Sequence, residues 1–267
     1  MKVSHKNHYE KIGTFILCYP YNLTLTRFTL KKINYKKMLK QYTAFTNLLI
    51  NEGAKLIFLN PIYGPNQVFT RDIGFAIEDI LFICKLRNKK RKEEIKALKE
   101  YIKDKNIKYY EMHNEIEGGD VLIYKEYIFV GVSTRTSFKG IVELKKYLKK
   151  EGKKYNIIPI RFNKEKMLHL DCVFNILDDD DAIICDYVYD KYIIEGIIKN
   201  LYYIDKKTAR KLGTNIISLG EKRIVTSNKK VEKILKRAGF KVFYLNYSEF
   251  IKAGGGFTCS TLPIFRE

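Results

Sequence analysis

The 267-residue sequence holds no tryptophan, only five prolines and five cysteines, and no apolar run of 18 residues. The last absence excludes a membrane-spanning helix, which needs about 20 mostly apolar residues. With so few prolines and no Ser/Gly-rich or low-complexity stretch, nothing marks a linker. Residues 1–267 are therefore expected to form a single domain, long enough to bury roughly three-quarters of the unfolded surface. Cys18, Cys84, Cys172, Cys185 and Cys259 are odd in number and lack C-x-x-C spacing. That excludes a disulfide framework and predicts reduced thiols in a cytoplasmic setting. The apolar patch from Phe15 to Tyr19 is too short for a signal-peptide core.

Arginine is also scarce. The net charge of +20 comes from 40 Lys and 10 Arg against 30 acidic residues. The lysines are strewn along helix-like stretches rather than gathered in an Arg-rich block. Forked phosphate and base contacts favour arginine, so this pattern reads as a solvated surface and makes nucleic acid an unlikely partner.

What the chain does contain is a recurring order of elements. Phe75–Lys85 is strand-rich, Lys89–Lys105 has apolar residues at helical spacing, and Lys108–Glu111 returns as strand. Val121–Val132 reads as a hairpin turning at Tyr124–Glu126, followed by a helix at Phe138–Lys150 and a strand at Asn156–Pro159. Val173–Asp186 gives two strands around an acidic turn, with a helix at Asp190–Asn200. Asn215–Thr226 gives two more, then a helix at Lys229–Ala238 and a strand at Lys241–Leu245. A first, less clear copy spans Phe15 to Asn60. This ββαβ order, with a period near 45–50 residues, predicts a radial α/β array of five modules rather than a doubly wound sheet. Radial repetition brings corresponding loops to one mouth.

Several polar residues interrupt apolar segments at nearly the same phase of this repeat. Asp72, Glu117, His169 and Cys259 are separated by 45, 52 and 90 residues, the last gap being two periods. Cys259 follows Gly254-Gly255-Gly256, a run that permits close backbone approach to a ligand. A thiol and an imidazole brought together make a nucleophile with its acid/base partner. Glu117 and Asp171 supply carboxylates to orient the imidazole or hold a cation. Carboxylates beside a Cys–His pair suit a cationic substrate, and a planar guanidinium fits them best. Asp178–Asp181 lacks the ligand spacing of a calcium loop and reads as a solvated turn. Cys172 and Cys185 read as core.

The ordered motifs resemble the guanidino-group-modifying superfamily of pentein fold: arginine deiminases, dimethylarginine dimethylaminohydrolases and amidinotransferases. The segments that carry the resemblance are Pro65–Asp72, Glu117–Asp120, Gly131–Thr136, His169–Asp171 and Gly255–Cys259, with Gly213–Asn215 as a further loop in phase. The resemblance implies a pentein α/β-propeller of five ββαβ modules around a central site. It implies Cys259 as nucleophile on the guanidinium carbon, His169 as acid and then base, and Glu117 as the group orienting His169. Asp72 and Asp171 would pair with guanidinium N–H groups, Phe69 would pack on the guanidinium plane, Arg135 would bind the substrate carboxylate, and Asn66 would touch the substrate backbone. No cofactor or metal is expected. The partner is a small guanidino substrate, no membrane is involved, and a homodimer is allowed. A lid is expected within the first 30 residues.

The chain has the size of the dimethylarginine hydrolases, while Asp171 resembles the deiminases and amidinotransferases. The expected activity is hydrolysis of arginine or an N-methylated arginine to citrulline plus ammonia or an alkylamine. The alternatives are amidinotransfer to an acceptor amine and a non-catalytic RNA- or ribosome-binding pentein.

Overall fold

The computed structural model describes residues 2–21, 23, 32–62, 64–103 and 105–267. The segment 24–30, part of the stretch expected to carry a lid, lies outside the described residues.

Fifteen strands form five three-stranded sheets. One sheet holds β3 (Gly74–Ile77), β4 (Ile80–Ile83) and β5 (Tyr109–Glu111), with helix α2 (Glu94–Lys103) between the last two. The next holds β6 (Val121–Tyr124), β7 (Tyr127–Val132) and β8 (Asn156–Arg161), joined through α3 (Phe138–Lys150). Then come β9 (Phe174–Asp178), β10 (Asp181–Cys185) and β11 (Asn200–Ile204), joined through α4 (Lys191–Glu195). A fourth sheet holds β12 (Ile217–Gly220), β13 (Arg223–Thr226) and β14 (Lys241–Tyr244), joined through α5 (Lys229–Arg237). In each, the first two strands pair antiparallel and the third joins parallel to the second.

The remaining sheet explains why the first copy of the repeat is indistinct in the sequence. Here β1 (Ile12–Cys18) pairs parallel with β2 (Lys55–Leu59) across α1 (Tyr35–Asn51), and its antiparallel neighbour is β15 (Leu262–Arg266) from the chain's far end. The module is thus completed by residues that the sequence order hides. Contacts of β15 with β3, β6 with β9, β9 with β12, and β12 with β1 run round the molecule; the turns before β3 and β6 supply the remaining link.

Burial follows strand position. β3, β4, β6 and β12 are buried at every residue, whereas β5 and β14 are exposed or half-buried throughout. Strands covered on both faces read as continuous apolar runs, which is how these inner segments stand out. The helices put their lysines outward and bury one stripe, as Ile141, Leu144 and Leu148 do in α3. Side chains of Asn34, Ser137 and Asn228 cap helix N-termini by accepting backbone N–H groups.

Two sequence expectations need correction. The helix expected at Asp190–Asn200 stops at Glu195, because Gly196 ends it, and Asn200 begins β11. The acidic turn is only partly solvated. Asp179 and Asp180 face Lys125, but Asp181 is buried and accepts a hydrogen bond from Tyr202 at 2.9 Å.

Candidate active site

The candidate residues sit in the short segments that enter the first strand of each module. Asp72 lies in a 3-10 turn, Thr70–Ile73, leading into β3. Glu117 precedes the turn Gly118–Asp120 before β6. His169 precedes the turn Leu170–Cys172 before β9, and Asp171 lies within it. Cys259 lies in the turn before β15, whose Ser260 N–H donates to Phe257 at 3.1 Å. Because β15 completes the first module, Cys259 occupies the same phase as the others.

Glycine makes the convergence sterically feasible. A Cβ at Gly119 would lie 2.8 Å from His169 Nδ1, and one at Gly255 would lie 2.2 Å from the Phe69 ring. Phe69 therefore packs on the glycine run that carries Cys259.

His169 Nε2 lies 2.8 Å from Glu117 Oε2. Its Nδ1 is 3.7 Å from Asp72 Oδ1, beyond hydrogen-bond reach, so Nδ1 is the nitrogen left for proton transfer. Burial opposes the charged imidazole, but Asp72, the Glu117 hydrogen bond and Asp120 outweigh it and hold the His169 pKa well above its usual value. Asp72 is also buried, yet Arg91 donates to its Oδ2 and keeps its pKa below the ordinary carboxylate range. Its Oδ1 has no hydrogen-bond partner, and neither has Asp171 Oδ2. Burial pushes Asp171 up to about 6, with His169 and Arg71 acting against that rise.

Cys259 is 5% exposed, and its Sγ accepts from Asn215 Nδ2 at 3.3 Å. Asn215 Oδ1 in turn accepts from Thr258 N–H at 3.0 Å, so one amide fixes both thiol and loop. Cys172 is core, as its sequence context suggested, and it also borders the site. Its thiol lies 3.3 Å from Asp171 Oδ1 and within hydrogen-bond reach of Cys259. That hydrogen bond, together with burial, raises its pKa well above the usual value.

Arg135 lies 3.3 Å from Glu117 Oε1, a contact the sequence reading did not anticipate. With Cys172, Leu168, Arg210 and Gly254 it also lines a cavity of about 430 Å³ beside these turns. Asn66 is reached through its backbone: its N–H donates to Glu94 at 3.0 Å and its carbonyl accepts from Arg91 at 3.1 Å.

Four supporting residues were not assigned roles from sequence. Arg91 and Glu94 form a buried pair at 2.7 Å that ties the Asn66–Asp72 loop, and nothing distinguishes Arg91 from its exposed lysine neighbours in the sequence. Asp120 accepts from Ser133 and Thr136 hydroxyls, both at 2.6 Å, and from Leu170 N–H at 2.9 Å, joining three motif loops. Asn215 belonged to a loop recognised only by its phase.

Donor atoms of Asp72, Glu117 and His169 lie within 4.8 Å of one another, a spacing that could hold a metal ion. Arg91 and Arg135 already pair with the two carboxylates, and an imidazole with a raised pKa is a poor ligand. The set suits an organic cation brought by the substrate better.

Comparison with known proteins agrees with this geometry. Residues 25–266 match the family described as N,N dimethylarginine dimethylhydrolase, eukaryotic. An uncharacterized protein of Bacillus subtilis, YkgA, is 32% identical over 98% of this chain and 94% of its own length. An arginine deiminase of Borrelia garinii subsp. bavariensis is 26% identical over 92% of this chain and 72% of its own length. The substrate-bound N-terminal domain of ArgZ, a cyanobacterial arginine dihydrolase, superimposes with a TM-score of 0.84 at 20% identity, covering 95% of this chain and 98% of that domain. SxtG, an amidinotransferase of Microseira wollei, superimposes with a TM-score of 0.83 at 18% identity, covering 99% and 97%. The five ββαβ modules, the ordered motifs and these matches agree: the chain belongs to the dimethylarginine dimethylhydrolase family, within the guanidino-modifying pentein superfamily.

Proposed function

We propose that this protein is a cofactor-free hydrolase of the guanidino group of arginine, acting through a covalent intermediate on Cys259. The observation that carries the reading is the pair of buried, unpartnered carboxylate oxygens, Asp72 Oδ1 and Asp171 Oδ2, beside the Cys259 thiol and the His169–Glu117 pair. Two such acceptors call for a buried cation with several N–H donors, and an unmethylated guanidinium supplies them.

In this reading Cys259 gives up its thiol proton to solvent as the guanidinium binds, and the Sγ thiolate attacks the guanidinium carbon, giving a tetrahedral adduct. His169, protonated at neutral pH, gives its Nδ1 proton to the departing nitrogen, and ammonia leaves. The Cys259 thiouronium remains. Neutral His169 then takes a proton from water at Nδ1, and the hydroxide adds to the same carbon. Expulsion of the Cys259 thiolate leaves O-protonated citrulline. Its proton passes through solvent to the released ammonia, so that arginine and water become citrulline and ammonium while His169 ends protonated. Glu117 holds the imidazole by Nε2 throughout, and Asn215 Nδ2 donates to the thiolate each time it forms. Phe69 borders the guanidinium plane.

N-methylation removes N–H donors and leaves a buried carboxylate oxygen unpaired, at about 1–3 kcal/mol for each lost partner. Free arginine is therefore the preferred substrate over its dimethylated form. The test is product release from L-arginine, monomethylarginine and asymmetric dimethylarginine, with ammonia and citrulline both counted. One ammonia per citrulline from arginine supports deimination; two ammonia per arginine without citrulline indicates a second hydrolytic cycle at the same site. Faster turnover of dimethylarginine would overturn the substrate assignment. Turnover that requires an added amine would replace hydrolysis with amidinotransfer.

A further inference from the structure

A second buried polar cluster lies apart from the reacting groups and is built almost wholly of bases. His5 and His8 are fully buried, with ring centroids 4.7 Å apart. Arg71 and Arg266 are 3% and 5% exposed, and neither forms an ion pair among the described residues. Arg266 Nη1 donates to the carbonyls of Glu10 and Ser218, at 2.5 and 2.9 Å, while its Nε has no partner. Arg71 Nε has none either; among the described residues the side chain's one hydrogen-bonding neighbour is His8 Nε2 at 3.4 Å, while Asp171 and Asp72 act on it only electrostatically.

That neighbour does not satisfy the guanidinium. His8 Nδ1 accepts the Ile123 N–H at 2.9 Å, so a neutral His8 carries its hydrogen on Nε2 and presents a donor to a donor. Neither His5 ring nitrogen meets a partner at hydrogen-bond geometry, although the Ala76 and Asn7 carbonyls lie nearby. Glu10, the acid closest in sequence to this segment, spends its carboxylate on Asn7 N and Nδ2, at 3.2 and 3.1 Å.

Leaving buried charged donors unpaired is costly, and a native fold resolves that with a partner. Water answers poorly, because each water brings two O–H donors to a place short of acceptors. A small anion accepts from every side. With the His5 and His8 rings 4.7 Å apart and Arg71 Nη1 3.4 Å from His8, the spacing suits a small ion rather than an organic metabolite.

We propose that His5, His8, Arg71 and Arg266 form a binding site for a small inorganic monoanion of the halide class. The site links the N-terminal segment to β15 and, through Arg71, borders the catalytic loops, since Arg71 N–H donates to the Cys259 carbonyl at 3.1 Å. This inference is independent of the guanidino-hydrolase reading, because its test uses the protein without substrate.

The test is thermal unfolding at constant ionic strength as chloride or bromide replaces gluconate. The melting temperature should climb by roughly 2–3 °C for each tenfold increase in halide above its dissociation constant. In Arg266→Gln the halide-specific climb should vanish, leaving only the general salt response. An equal climb in both proteins overturns the proposal. Should Arg266→Gln fail to fold, wild-type crystals grown in bromide decide the matter. An anomalous bromine peak between Arg71 and Arg266 supports the site, and water alone at that place, or an adventitious ion only at the surface, overturns it.

Discussion

The molecule buries two polar clusters of opposite sign, one at each end of the inner strands. Asp72, Glu117, Asp120 and Asp171 stand with His169 where the chain enters β3, β6 and β9. His5, His8 and Arg266 gather toward the other ends, near Glu78 after β3, Ile123 in β6 and the last residue of β15. Arg71 lies between them, attracted electrostatically by Asp171, Cys259 and Asp72 and repelled by Arg266. Burial pushes Asp171 up to about 6 and Arg266 down to about 9, so both clusters strain against their own charge. The comparison teaches that the net charge of +20 says little about the ligand. A mouth lined by carboxylates can bind a cation inside a basic protein, since distant lysines are screened over about 8 Å at physiological salt.

The first way to break the comparison is to remove the proposed nucleophile. Cys259→Ser should lower citrulline release by at least about a thousandfold, with little change in melting temperature, because the serine hydroxyl can keep the Asn215 contact. Retained turnover would move the chemistry elsewhere.

Two substitutions within the acidic cluster should part company. Asp72→Asn and Asp171→Asn should each lower kcat/KM by about a hundredfold, for loss of a charged hydrogen bond to the substrate. Their stabilities should move in opposite directions. Asp72→Asn leaves Arg91 paired with Glu94 but removes its second carboxylate, and should destabilise the protein by about 1–3 kcal/mol. Asp171 has a pKa raised from 3.8 to about 6, so its favourable contribution below pH 3.8 is lost as the pH climbs to about 6. Above that, its ionised form costs of the order of 2–3 kcal/mol, and Asp171→Asn should raise the melting temperature by a few degrees at pH 7.5. Denaturation curves of the two variants check this.

A backbone test comes next. Gly119→Ala pushes a methyl group against His169 Nδ1 and should cut kcat about ten- to a hundredfold while leaving KM near wild type. A change confined to KM would show that Nδ1 is not the proton-transfer atom.

The smallest effect is that of pH. Protonation of Asp171 removes half of the cation site, so kcat/KM should fall about tenfold per pH unit below pH 6. At the other limb, activity should decline as His169 loses its proton above neutral pH. A flat profile between pH 5 and 7 would contradict the assignment of Asp171.

How much of this was legible in the sequence depended on whether a feature was local. The hairpin turning at Lys125, where φ is 52°, and helix α3 were readable from alternation and periodicity. Cys259, His169, Glu117, Asp72 and Asp171 stood out because polar groups interrupt apolar segments there at a shared phase of the repeat. The β1–β15 pairing was not readable, since it joins residues from opposite ends of the chain. Arg91 was hidden because a buried arginine in a lysine-rich helix looks like any surface cation until its partners are known. Cys172 is core as read, and its contact with Cys259 was hidden because only the fold places the two side by side.

The central claim is that Cys259 attacks a guanidinium held by Asp72 and Asp171. Its most direct test is rapid acid quenching of the enzyme turning over L-arginine, followed by peptide mass spectrometry. The account predicts a covalent adduct on the peptide containing Cys259, absent in Cys259→Ser and scarce in Asp171→Asn. Citrulline formed without any adduct on that peptide, at times when turnover is under way, would contradict it.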